Sequence, residues 1–297
     1  MLVDAQDSRS LKLGAQEDIP TPIRVCAKPG WRGIDFAELW QYRELLWILG
    51  MRDVKVRYKQ TLLGALWAII PPLFATLIFN AIFIVLRVGP QTLSNGFPYL
   101  LFVFTAQVPW QLFSSSLTQS SNSLVGNQHL ITKVYFPRLV IPIASLFSAV
   151  LDFLVSFGIL AAFMVWYRDF VDVGWALAAL PLFTLLALAT SLAMGLWLSA
   201  LNVLYRDVRY VVPILVQLWM YISPVIYSSS NIPERWRSLY ALNPMASVVD
   251  GFRWALLGGN QPAPGSMLLV SMVSVAMLLF GGLFYFRRME KTFADVV

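Results

Sequence analysis

The sequence predicts an all-α, polytopic membrane protein with six transmembrane helices, an N-terminal amphipathic interface helix and two short re-entrant helices before the last span. Three observations predict it. Of the 297 residues, 58% are hydrophobic and only 13% charged, against roughly 25% charged in soluble domains; the mean hydropathy is +0.66. Six apolar segments, at 62–86, 98–121, 138–166, 175–200, 210–228 and 267–286, match the roughly 20 residues a helix needs to cross a bilayer. Lysine and arginine gather at alternate ends of these segments, as the anionic inner leaflet and the cost of moving cations through hydrocarbon require.

Residues 1–35 are polar with scattered prolines and read as a loosely ordered cytoplasmic tail. The first sixty residues hold no short apolar core before a small-residue cleavage site, so no removable signal is expected. From Phe36 to Leu49 the pattern changes: Phe36, Leu39, Trp40, Leu46 and Trp47 fall on one helical face and Glu38, Gln41 and Glu44 on the other. This reads as a helix lying in the membrane interface with Trp40 and Trp47 at headgroup depth, or as a soluble helix packed on a partner. The interface helix and its basic linker occupy 36–61; Arg52, Lys55, Arg57 and Lys59 run almost directly into the first span and hold that end inside.

The six-span domain occupies 62–286, with a coupling loop at 122–137 and outer helices within 229–266, and 287–297 form a cytoplasmic C-terminus carrying Arg287, Arg288 and Lys291. Short outer loops are expected at Gly89–Gly96 and Tyr167–Gly174. Of the 22 cations, Arg87, Arg168, Arg235, Arg237 and Arg253 alone fall on the outer side, and none is a lysine. The outer segment 229–266 is too long for a turn and too apolar for a solvated loop. Asn243 followed by Pro244 is an N-cap with proline at the first helical position, and Gly258 and Gly259 supply a stop, so short helices are expected at 232–241 and 244–257. Re-entrant backbone is tolerated at membrane depth only against protein or a water-lined cavity, so this segment borders a pathway, or else forms a lid of interfacial helices.

The polar residues narrow the chemistry. Cys26 and His129 are the only residues of their kinds, which excludes an internal disulfide and the usual thiolate metal site and nearly excludes zinc chemistry and catalytic Ser-His-Asp or Cys-His sets, so neither a catalytic nor a metal-ligating residue is expected. The net charge of +6 does not indicate nucleic acid, because the cations sit at span ends. No GxxxxGK[ST] motif is present and no soluble segment is large enough for an ATPase fold, so ATP-driven work would be done on another chain. Tyr99, Phe102, Trp110 and Phe113 in the second span fall within about 80 degrees of one another on a helix. Gln107, Gln111, Ser114, Ser115, Gln119 and Asn122 add hydroxyls and amides to the same span, a polarity that is costly against lipid. Asp152, inside the third span without a nearby cation in sequence, lines a path, carries a proton or makes a polar contact with Asn80 or Gln217. Asp250 and Arg253, three apart, either pair or orient the outer helices.

Four stretches then fall in order: ELLW with MRDVKVRYKQTLLGALWAIIPPL from Met51, KVYFPRLVIP from Lys133 to Pro142, LNVLYRDVRYVVP from Leu201 to Pro213, and ALNPM with GFRWALL between Ala241 and Leu257. Together they resemble the ABC-2 type permeases that export bacterial cell-surface polysaccharides such as O-antigen, capsule and teichoic acid, over the chain from about residue 36 onward. The resemblance implies a homodimer in the bacterial inner membrane, with both termini cytoplasmic and each copy bound to a separate ATP-binding cassette subunit. ATP and Mg would sit on that partner, with no cofactor in this chain, and a lipid-linked polysaccharide would pass among membrane lipids through the dimer.

The loop residues Asn127, Gln128, His129, Lys133 and Tyr135 would then couple to the ATPase, and Asn243, Pro244, Asp250 and Arg253 would belong to the outer gate. Aromatic faces stack on sugar rings through weak, exchangeable contacts, which assigns Tyr99, Phe102, Trp110 and Phe113 to the path. The lipid phosphate needs cations at headgroup depth, and Arg57 and Lys59 are the donors expected, with topology anchoring as their other reading. Two other functions fit less of the sequence: an ABC-2 exporter of drugs, haem or small lipids, and a membrane-embedded glycosyl or acyl transferase. The transferase needs a carboxylate and histidine set, and Asp169, Asp172, Glu234 and Asp250 have no histidine near them in sequence.

Overall fold

The computed structural model describes residues 36–59, 64, 66–85, 97–171, 174–258, 263–290 and 293. The expected tail 1–35, the loop Gly89–Gly96, Gly259 and Lys291 lie outside the described residues. The described residues are helical, with no strand among them. In chain order the helices are α1 (Phe36–Gln41), α2 (Arg43–Tyr58), α3 (Leu66–Val85), α4 (Tyr99–Gly126), α5 (Gln128–Lys133), α6 (Val140–Trp166), α7 (Leu180–Leu204), α8 (Val208–Ile222), α9 (Glu234–Tyr240), α10 (Pro244–Leu257) and α11 (Gly265–Met289).

Among the described residues four helical stretches are both long and apolar enough to cross a membrane: α3, α6, Trp175–Leu204 and α11. The third of these enters α7 through a 3-10 turn at Trp175–Ala179. The second expected span, α4, has 28 residues, about 42 Å of helix, but its serines and amides keep it out of that apolar class. The fifth expected span differs in length. Hydropathy predicts it over 210–228, yet α8 has 15 residues and stops at Ile222, because Ser223 precedes Pro224 and takes an extended conformation at φ −86°, ψ 152°.

The expected helix over 36–49 is also redrawn. It breaks at Tyr42, and α2 carries on through the basic stretch to Tyr58. α10 matches its expected limits for the local reason given by its ends. The Asn243 side chain accepts a hydrogen bond from the Met245 N–H at 3.1 Å, Pro244 follows it, and Gly258 leaves the helix at φ 61°.

α4 is the axis of the bundle and packs against α3, α6, α7, α8 and α10. Its residues from Leu101 to Pro109 are all buried. Lipid is as apolar as leucine, so helices in a bilayer associate by close packing rather than by expelling water. Glycines permit that approach here: a Cβ at Gly195 of α7 would lie 2.4 Å from Ser120 Oγ of α4, and one at Gly251 of α10 would lie 2.3 Å from the Phe183 ring of α7. The opposite faces of α3, α8 and α11 expose Phe74, Ile78, Ile214, Leu218, Val273 and Phe280, apolar side chains suited to hydrocarbon.

Candidate functional site

The four aromatic residues of α4 are brought together as the helical spacing requires, but the bundle covers them. Tyr99, Phe102, Trp110 and Phe113 are all buried. The Tyr99 ring packs edge-on against Phe83 and its hydroxyl donates to the Ile226 carbonyl at 3.0 Å, while Phe113 lies between Trp110 and Trp219 at 5.2 and 5.1 Å. Phe102 lies under the guanidinium of Arg253 at 3.5 Å. An aromatic face on a central helix is the natural one to pack against neighbours, so these rings belong to the packed interior of the bundle in this conformation. The amides and hydroxyls differ: Gln111, Ser114, Ser115, Gln119 and Asn122 are half-buried, as is Thr118, whereas Gln107 is buried.

The basic end is ordered by pairs that join distant parts of the chain. Arg57 forms an ion pair with Asp152 at 2.7 Å, and the Tyr58 hydroxyl donates to the other carboxylate oxygen. The polar contact expected of Asp152 with Asn80 or Gln217 is therefore replaced by one with α2, because α2 runs along the first half of α6. There Trp47 packs edge-on against Phe147 at 5.7 Å, and the Gly50 backbone approaches the same ring. Burial, and then the bond to Asp152, raises the Tyr58 hydroxyl above the ordinary tyrosine range, so it remains a proton donor. Lys59 is exposed.

Asn127 stands between α4 and α5 and accepts a hydrogen bond from Arg52 at 2.7 Å, which ties α2 to the start of α5. Its amide donates to the Ser123 carbonyl at 2.8 Å. His129, Lys133 and Tyr135 are exposed at this end, whereas Gln128 is half-buried. Sequence reasoning missed a contact from the far end of the chain. The Arg138 side chain donates to the Glu290 carbonyl, Arg287 pairs with the Glu290 carboxylate at 3.3 Å, and Arg138 stands over the buried Phe293 ring at 5.9 Å. The last helix thus holds the chain just after α5.

At the opposite end Arg253 does not pair with Asp250: no ion pair within 4.0 Å joins them among the described residues. Arg253 is 1% exposed, and its guanidinium donates to the carbonyls of Pro224 at 2.6 Å, Val225 at 2.8 Å, Tyr227 at 3.1 Å and Phe102 at 3.4 Å. Three of these acceptors lie in the non-helical chain after α8. Arg253 therefore fastens that segment to α10 and α4, and Asn243 adds bonds at 3.0 Å to Trp219 and Ser223. Burial raises the Asp250 carboxyl above the usual carboxylate range, while Arg253 and a hydrogen bond from Ser229 draw it back down. α10 is almost wholly buried, whereas Glu234, Arg235, Trp236 and Leu239 of α9 are exposed. The two short helices expected on the outer side are therefore unequal: one is core and the other is cover.

Comparison with known proteins adds a family. Residues 44–257 match the model of the ABC-2 type transporter family. The chain is 31% identical over 255 residues to an O-antigen export system permease protein, RfbA, of Klebsiella pneumoniae, covering 86% of this chain and 95% of that one. It is 32% identical over 262 residues to the RfbA permease of Myxococcus xanthus, covering 88% and 98%. It is 28% identical over 248 residues to the polysialic acid transport protein KpsM of Escherichia coli, covering 82% and 92%.

Proposed function

The chain belongs to the ABC-2 type transporter family, and from that premise we propose that it is the membrane permease subunit of a bacterial polysaccharide exporter. The observation that carries this reading is the similarity to O-antigen export permeases over 86–88% of the chain. Two copies enclose a path for a lipid-linked polysaccharide across the inner membrane, and a separate ATP-binding cassette subunit supplies the energy with ATP and Mg. Six crossings place both termini in the cytoplasm, with α4 and α8 as the second and fifth, and α9 and α10 stand at the outer mouth.

The residues take roles in keeping with their placement. His129, Lys133 and Tyr135, exposed beside the basic end, dock the ATPase together with Asn127 and Gln128, and Arg52 passes movement of this loop to α2 through its bond to Asn127. The exposed Lys59 and the Arg57 guanidinium, held at the membrane surface by Asp152, receive the lipid phosphate. α4 flanks the path. Asn243 and Pro244 begin the fixed outer helix, and Asp250 and Arg253 hold it against the segment beneath α9.

Purification from native membranes in mild detergent tests the reading. The expected result is a stoichiometric P-loop ATPase whose hydrolysis rises when a lipid-linked glycan extract is added. Recovery of the chain without an ATPase, under conditions that keep other such complexes intact, would overturn it.

A further inference from the structure

We propose that the surface of α4 that meets water and sugar is its amide and hydroxyl stripe, Gln111, Ser114, Ser115, Thr118 and Gln119 continuing to Asn122, and not its aromatic face. The assignment rests on the exporter reading for the identity of the ligand. At about 100 degrees per residue these positions fall within an arc of about 140 degrees, on the side of the helix away from Tyr99, Phe102 and Phe113. They form one track along 12 residues, about 16 Å of helix.

The burial pattern separates the two faces. Every track residue from Gln111 onward is half-buried in a chain whose aromatic stripe is covered. Along the track Gln119 donates to Ser115 Oγ at 3.0 Å, Asn122 donates to the Thr118 main-chain carbonyl at 2.9 Å, and Asn202 of α7 donates to the Asn122 side-chain Oδ1 at 3.0 Å. Ser148 of α6 donates to the Gln119 carbonyl oxygen and so forms one bank. These bonds leave capacity. Gln107, one turn before Gln111 on the same arc, is 4% exposed and its Oε1 has no hydrogen-bond partner, an unmet acceptor at the buried head of the track. Such groups are costly to leave against hydrocarbon without a partner, so a stripe of them inside a bilayer calls for water or a polar ligand.

The chemistry of the track selects the ligand. It carries no charge, so it offers no trap for phosphate. Each amide and hydroxyl both donates and accepts, which matches the hydroxyl groups of a glycan and lets one sugar replace another at equal strength. The buried aromatic rings behind it give stiffness to the wall.

The chain's single cysteine makes the test direct. In the assembled complex carrying Cys26→Ser, the variants Gln111→Cys, Ser115→Cys and Thr118→Cys are compared with Phe113→Cys and Leu117→Cys for reaction with a charged, membrane-impermeant methanethiosulfonate. The track positions should react faster by on the order of tenfold or more, because only the thiolate reacts and an apolar enclosure suppresses its ionisation. Added lipid-linked glycan extract should slow the track positions and leave the others unchanged. Equal rates at 113 and 115 would overturn the water-facing assignment, as would disulfide cross-links between two copies at 115 or 118, which would make the stripe a subunit seam. Fast labelling that the glycan extract does not slow would overturn the choice of ligand. Labelling does not require ATP turnover, so failure of the exporter reading is recognised separately, by the absence of an ATPase from the purified complex.

Discussion

Replacing Arg253 by methionine should destabilise the chain by about 3–5 kcal/mol, the range for removing one partner from a buried charged network. The side chain makes three hydrogen bonds of 2.6, 2.8 and 3.1 Å and a longer one of 3.4 Å, all to backbone carbonyls, and lies 3.5 Å above the Phe102 ring. Bonds from a charged donor contribute about 1.5–3 kcal/mol each, so the three short ones set a ceiling of about 5–9. The cost of taking the guanidinium out of water offsets several kcal/mol of that. Methionine fills similar apolar volume but leaves the carbonyls of Pro224, Val225 and Tyr227 without this donor.

Lysine at 253 keeps the charge yet lacks the planar fork that reaches three carbonyls at once, so Arg253→Lys should lose about half as much. The assay is thermal unfolding of detergent-purified protein followed by fluorescence-detected size exclusion. At about 2–4 °C per kcal/mol for a chain of this size, Arg253→Met should melt about 10 °C lower and Arg253→Lys about 5 °C lower. A methionine variant melting within about 2 °C of the parent, less than 1 kcal/mol by that scale, would refute the reasoning.

Asp152→Ala should destabilise more than Asp152→Asn, which keeps an acceptor for Tyr58. A thermal-melt cycle of Arg57→Ala with Asp152→Ala should show a coupling of about 1 kcal/mol, since Arg57 is partly exposed. Gly251→Ala drives a methyl group into the Phe183 ring and should cost about 1–3 kcal/mol; adding Phe183→Leu should return part of the lost melting temperature. Tyr135→Ala, at a position 71% exposed, should leave stability within about 0.5 kcal/mol while lowering the amount of ATPase that co-purifies. Full recovery of that partner would remove Tyr135 from the docking surface.

Features set within a few residues are legible in the sequence. Asn243, Pro244 and Gly258 mark both ends of α10 because capping is local, and the apolar runs of α3, α6, Trp175–Leu204 and α11 suffice for crossing by length alone. The end of α8 is legible in Pro224, although the run of apolar residues beyond it draws the expected span too far. The polarity of α4 is equally plain. Which of its faces is covered is not, because the helical wheel orders residues around an axis and is silent about the neighbours on each side.

The partners of the buried charges lie further from view. Asp152 meets Arg57 across 95 positions of sequence, and no spacing rule joins an interface helix to the body of a span. Spacing matches Arg253 with Asp250 because side chains have identities that can be read; its actual acceptors are carbonyls, which every residue carries alike. By itself the sequence determined the apolar stretches that must be in the membrane, the two ends of α10, and the family, because hydropathy and capping are summed over neighbours in the chain. Only the tertiary structure decided that the aromatic face of α4 is covered while its polar stripe is half open, and that α10 is core while α9 is cover. Burial and pairing depend on which surfaces meet in space, and helix packing brings those together from segments far apart in the chain.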